Sequence, residues 1–135
     1  MRNEIVFRIV GQDVLPDEVT QALGLKPDEA FKKGDSFYLK PERKHSNGLW
    51  LLKSKVNESD AVEKHIVELL KCLKGKKESV KTYSYKDGVD VELFCGLFID
   101  NEDEIWDGVK LDSNILIEIG SFGIDLNIQV YDDID

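Results

Sequence analysis

The stretch from residue 89 to residue 99 constrains the fold more than any other. Val89, Val91, Leu93, Cys95, Leu97 and Ile99 recur at every second position. That period puts all six side chains on one face of a strand and does not fit a helix. Asp90, Glu92, Phe94, Gly96 and Phe98 take the other face, which turns apolar toward its end. The pattern predicts a strand whose later half is covered on both sides. An apolar face of this length needs a second layer to bury it.

The rest of the chain supplies candidates for that layer. Residues 5–10 are rich in β-branched side chains, and Gly11 ends the strand they predict. Pro16, Asp17 and Glu18 suit the first turn of a helix from about 16 to 23. Val19, Ala22 and Leu23 share one face of it, and Gly24 stops it. Residues 31–35 read as a short strand ending in a turn, 36–39 as a second extended piece, and 40–48 as a polar loop. Residues 49–55 predict another strand. Ser59 or Asp60 is placed to cap the longest helix, whose core stripe is Val62, Ile66, Leu69, Leu70 and Leu73, with Gly75 ending the periodic part. Residues 78–86 leave helix and irregular chain both open. A helix from about 113 to 122, capped by Asp112 or Ser113, precedes a final strand at 124–131.

These elements predict one α+β domain spanning residues 1–135. The expected sheet is mainly antiparallel with helices on one face: a ferredoxin-like βαββαβ core followed by a C-terminal helix and strand. A chain of 135 residues with 41% hydrophobic content suits one such domain. No apolar run is long enough to span a bilayer, and the first residues lack a signal-peptide pattern, so a cytoplasmic location is expected. Cys72 and Cys95 are then expected to stay reduced.

Charge is distributed unevenly. Residues 1–86 carry 17 Lys/Arg against 13 Asp/Glu, a net of +4. Residues 87–135 carry Lys110 alone against 14 acids, a net of −13. Nucleic acid would be repelled by that last third, because phosphate binding draws on clustered cations. A basic protein partner fits it better. Within it, Asp100, Glu102, Asp103, Glu104 and Asp107 surround Trp106. An aromatic amid acids suits a partner-binding loop, against the blander reading of a solvated loop with Trp106 turned into the core edge. As a calcium loop it fails the EF-hand pattern, since Ile105 stands where the turn glycine belongs and Leu111 where the last glutamate belongs.

No catalytic set emerges. His45 adjoins Ser46, but neighbours in sequence seldom face one another, and no third group is placed to orient them. His65, Glu68 and Cys72 fall along one helix edge and are zinc-ligand types, yet no further Cys/His pair completes a set. A boundary histidine and a small buried thiol account for them. Gly120 to Gly123 precedes a strand, whereas phosphate loops follow one. Lys71, Lys74, Lys76, Lys77 and Lys81 read as a solvated helix end. The expectation is therefore no enzyme, no catalytic, cofactor-binding or metal residues, no cofactor, and neither nucleic acid nor membrane as partner.

Several stretches together resemble a known family. They are Phe7-Arg8-Ile9-Val10-Gly11 with Asp13, Leu15-Pro16, Val19-Thr20 and Leu23-Gly24-Leu25-Lys26-Pro27. Ala30-Phe31-Lys32-Lys33-Gly34-Asp35 follows, where the family often has tryptophan in place of Phe31. Gly48-Leu49-Trp50, then Gly108, Leu111 and Asp112, then Gly123-Ile124-Asp125-Leu126 leading to Tyr131, complete the pattern. It resembles the mostly bacterial family catalogued as domain of unknown function 4279. The resemblance implies a small cytosolic domain without an assigned activity, with some relatives similar to immunity proteins of toxin systems. It brings no catalytic residues. Two functions are expected: an immunity-type inhibitor binding a basic toxin through its acidic C-terminal surface, or a small-molecule-binding or regulatory domain. The second would use an apolar pocket between sheet and helices, lined by Trp50, Phe94 and Phe98.

Overall fold

The computed structural model describes residues 2–99 and 108–132. Its strands are β1 (Arg2–Gly11), β2 (Glu29–Phe31), β3 (Gly48–Lys53), β4 (Val89–Ile99) and β5 (Asp125–Asp132). Its helices are α1 (Pro16–Leu23), α2 (Val62–Cys72), α3 (Lys77–Ser84) and α4 (Ser113–Ser121). The strands form one sheet in the order β2-β3-β1-β4-β5. Every pairing is antiparallel except β4 with β5, which run parallel across the α4 connection. The α+β class and the mainly antiparallel sheet are as the sequence predicts. β3 is inserted between β1 and β2.

Alternation in β1 and β4 decides which face is covered. Ile5, Phe7 and Ile9 of β1 lie beside Val91, Leu93, Cys95 and Leu97 of β4, and all are buried. Helix residues cover them: Val19 and Leu23 from α1, Ile66 and Leu69 from α2, Val80 from α3, Ile119 from α4. Trp50 of β3 joins this layer fully buried, edge-on to Phe7, and its indole N–H donates to Thr20 Oγ1 at 3.0 Å. On the other face stand Arg2, Glu4, Val6, Arg8 and Val10 of β1, and Asp90, Glu92, Phe94 and Phe98 of β4. No described helix packs there.

Two local details differ from the sequence expectation, and a third settles what the sequence left open. α2 begins at Val62 rather than near Ser59, and no side chain caps it. Asn57 instead draws in both the backbone N–H and the hydroxyl of Ser59, at 2.9 and 2.7 Å. The Asp60 carbonyl accepts from Asn3 Nδ2 at 2.7 Å, which ties this loop to β1. Residues 77–84 form α3, with Val80 and Tyr83 buried three apart, after Gly75 (φ 80°) breaks the chain from α2. The strand expected at 31–35 is displaced to β2. Residues 36 and 44 instead bridge one another across a hairpin loop. Asp112 does cap α4, accepting from the Ile115 N–H at 2.9 Å.

Gly48 lies opposite Gly11 where β3 and β1 meet. The Val14 carbonyl lies where a Gly48 side chain would begin, and a Cβ on Gly11 would stand 2.6 Å from the Gly88 carbonyl. Gly48→Ala should therefore destabilise by about 1–3 kcal/mol, because backbone would have to move. Gly120 lies inside α4 with open space where a side chain would begin. Gly120→Ala should stabilise by about 0.5–1 kcal/mol by removing glycine's unfolded-state entropy. Urea unfolding of both variants reads these opposite signs.

Candidate functional site

The uncovered sheet face owes its character to pairs that adjacent strands force together. Arg8 lies opposite Glu92 in the β1–β4 register, and its Nε donates to Glu92 Oε1 at 2.7 Å. The same guanidinium stands 4.5 Å from the centre of the Phe94 ring, and that of Arg2 stands 4.5 Å from Phe98. Phe98 also stacks on Tyr131 of β5 at 4.9 Å. Two arginines and a tyrosine thus cover the apolar far end of β4 that the sequence suggested was buried on both sides. Glu92, Asp90 and Asp125 give this half of the face an acidic cast.

Toward β2 the face meets the 32–47 loop. The His45 ring lies between Phe31, at 3.5 Å, and Phe37, at 3.9 Å, and Arg43 stands 5.2 Å from the centre of Phe37. Arg8, Phe31, Phe37, Arg43, His45 and Glu92 line a groove of about 430 Å3 together with their neighbours. Both faces of the imidazole are occupied by rings. The structure places no Ser46–His45 hydrogen bond; Ser46 Oγ accepts from Asn47 instead, at 3.5 Å.

Three sequence candidates scatter. Trp50 faces the helices, while Phe94 and Phe98 face away from them, so these three do not line one pocket. A groove of about 760 Å3 does exist, between α2 and α4, floored by Val67, Leu70, Ile115 and Phe122 and rimmed by Lys71 and Lys74. Cys72 is exposed, its Sγ 3.8 Å from Glu68 Oε1, while His65 is buried and turned to another partner. Among the described residues no three His, Cys, Asp or Glu side chains converge as a metal site. Asp100, Glu102, Asp103, Glu104, Trp106 and Asp107 lie outside the described residues.

One polar centre escaped sequence reasoning. His65 Nδ1 lies 2.8 Å from Ser54 Oγ, and the Val56 N–H donates to that same oxygen at 3.2 Å. The Ser54 hydroxyl has one hydrogen and a second lone pair to offer Nδ1, so either neutral tautomer of His65 keeps this bond. Nε2 is buried without a protein hydrogen-bond partner, as is Asn3 Oδ1. Both residues line a pocket of about 270 Å3 beside β1. Burial pushes the His65 pKa down, against the opposing influence of the Asp60 and Asn57 carbonyls. The only hint in the sequence was that position 65 falls beside the apolar stripe of α2.

The chain matches the family model described as Domain of unknown function (DUF4279) over residues 2–133, and it belongs to that family. No curated protein and no solved structure matches it. No helix among the described residues is long and apolar enough to cross a membrane.

Two outcomes follow from these environments. Folding holds His65 neutral below its ordinary pKa of 6.5, so the unfolded chain binds a proton that the native state refuses. Stability should be unaffected by His65 well above pH 6.5 and should fall as pH drops below it, levelling once the native imidazole also titrates. Urea unfolding between pH 7.5 and about 4.5 should show a steeper loss in the wild type than in His65→Gln. Burial raises the Cys95 thiol to about 12, and the exposed Cys72 thiol is raised by desolvation and by Glu68. A thiol reagent at neutral pH should modify Cys72 slowly and Cys95 only after unfolding.

Proposed function

We propose that this member of the family is a non-enzymatic interaction domain of immunity type, which inhibits a basic toxin by binding it through an acidic C-terminal surface. The observation that carries this reading is charge asymmetry: residues 87–135 hold 14 acids and one lysine. The sheet order supports it by setting β4 and β5 side by side at one edge, where Asp90 and Asp125 are exposed. Such a surface steers a cationic partner and speeds its encounter more than it tightens the final complex. Asp100, Glu102, Asp103, Glu104, Trp106 and Asp107 are assigned to the same interface on sequence grounds.

A second reading is favoured by the α2–α4 groove, whose apolar floor and few polar rim groups suit a small molecule. A regulatory domain would use it. A metabolite that raises the melting temperature would favour this reading, since a ligand that prefers the native state stabilises it.

The test of the first reading pairs the purified protein with the product of a neighbouring toxin-like gene. Replacing Asp103 and Glu104 with lysine should slow association about tenfold at low salt, with the gap closing as salt screens the charges. Asp125→Lys should add to the loss, whereas Glu118→Lys on α4 should not. Trp106→Ala should mainly speed dissociation. Full-rate binding by the Asp103→Lys, Glu104→Lys variant at low salt would remove the acidic segment from the interface.

A further inference from the structure

The 32–45 hairpin is ordered by its own contacts and presents what an ordered loop normally hides. The His45 N–H donates to the Asp35 carbonyl at 2.9 Å and the Gly34 N–H to the His45 carbonyl at 2.9 Å. The Phe37 N–H donates to the Arg43 carbonyl at 3.0 Å, and the Lys32 N–H to Asp35 Oδ2 at 2.9 Å. Lys44 Nζ reaches Ser36 Oγ at 2.6 Å. The Phe31–His45–Phe37 stack fills the base. On this framework Tyr38 is 94% exposed and Leu39 is 84% exposed, the highest exposures of any large apolar residues described. Lys32, Lys33, Lys40, Arg43 and Lys44 lie on the same hairpin, all exposed. Asp35 and Glu42 are the only acids between 32 and 45, leaving a net charge of +3.

We propose that this hairpin docks on the surface of an anionic lipid bilayer. Tyr38 and Leu39 enter the boundary between headgroups and acyl chains, and the surrounding cations meet the lipid phosphates and carboxylates. The shape of the tip favours lipid over an acidic protein. A stable protein interface needs about 800 Å2 per partner and a matching contour. Tyr38 and Leu39 stand at an open groove with Phe31 and Phe37, and a fluid headgroup layer accommodates such an amphipathic edge without a matching contour. Tyrosine suits that depth, with an apolar ring and a polar end. The sheet order also keeps the acids of β5 away from the tip, while Asp90 and Glu92 share a groove with Arg43 and Lys44 at its base. The hairpin joins β2 and β3, and the acidic β5 is the far edge. Four strand spacings separate β2 from β5, about 19 Å. That exceeds the screening length of about 8 Å at physiological salt. Docking of this kind needs no spanning segment.

The test is cosedimentation of the full chain with phosphatidylcholine vesicles, with and without phosphatidylserine. The wild type should bind the phosphatidylserine vesicles and not the neutral ones, and high salt should release it. Tyr38→Ser with Leu39→Ser should weaken binding at least about tenfold. Lys32→Glu, Lys33→Glu and Lys40→Glu together should weaken it roughly a hundredfold or more. The side chains are exposed, so both variants should keep the wild-type urea midpoint, which separates lost docking from lost folding. Failure of the wild type to bind phosphatidylserine vesicles would overturn the proposal. Equal binding by the Tyr38→Ser, Leu39→Ser variant would overturn it too. So would self-association without vesicles that this variant abolishes, since a second copy would then be the occupant.

Discussion

The double pairing of β1 is the constraint on which the other elements depend. It is hydrogen-bonded to β3 from Val6 to Gly11 and to β4 along its whole length. A strand held on both edges has no freedom to choose its faces: Ile5, Phe7 and Ile9 go one way, Val6, Arg8 and Val10 the other. A slip of one residue would expose the first set. The close approaches at Gly11 and Gly48 resist that slip, because any other registered residue would carry a Cβ into the 14 or 88 carbonyl. Once this face is fixed, all four described helices have one place to bury their stripes.

Periodic features were legible in the sequence. The alternation of β4, the stripe of α2, the Asp112 cap and the glycine stops all appear in the structure because each depends on residues within a few positions of one another. Features that depend on distant partners were not legible. α3 is held by Val80 and Tyr83 meeting the core, and its own sequence, rich in lysine, carried too short a pattern to decide. Ser59 looks like a cap in isolation, but Asn57 captures it and Asn3 captures the carbonyl of Asp60. The Ser54–His65 pair joins the end of a strand to the middle of a helix, so no local motif announces it.

The uncovered sheet face was least legible in the sequence, for a related reason. Phe94 and Phe98 follow the rule that apolar residues seek cover, and from sequence the cover could only be assumed to be a helix. Arginine stems and guanidinium groups provide it instead, on a face that stays accessible. Charge was legible as a total for each part of the chain, but its placement needed the strand order. β5 and the 32–47 loop lie at opposite edges of the sheet, while Asp90 and Glu92 reach the groove beside that loop.

The long reach of the β1–β4 pairing also bears on the order of events during synthesis. Arg2 pairs with Phe98, and Gly11 with Val89, so the chain's first strand must wait for most of the polypeptide before its second edge is satisfied. Until then β1 is paired only along its β3 edge, and the other edge stays open. Pairings this distant in sequence slow folding, because loop closure precedes any reward from contact. An unpaired strand edge that persists through most of synthesis is the feature that exposes an incomplete sheet to mispairing.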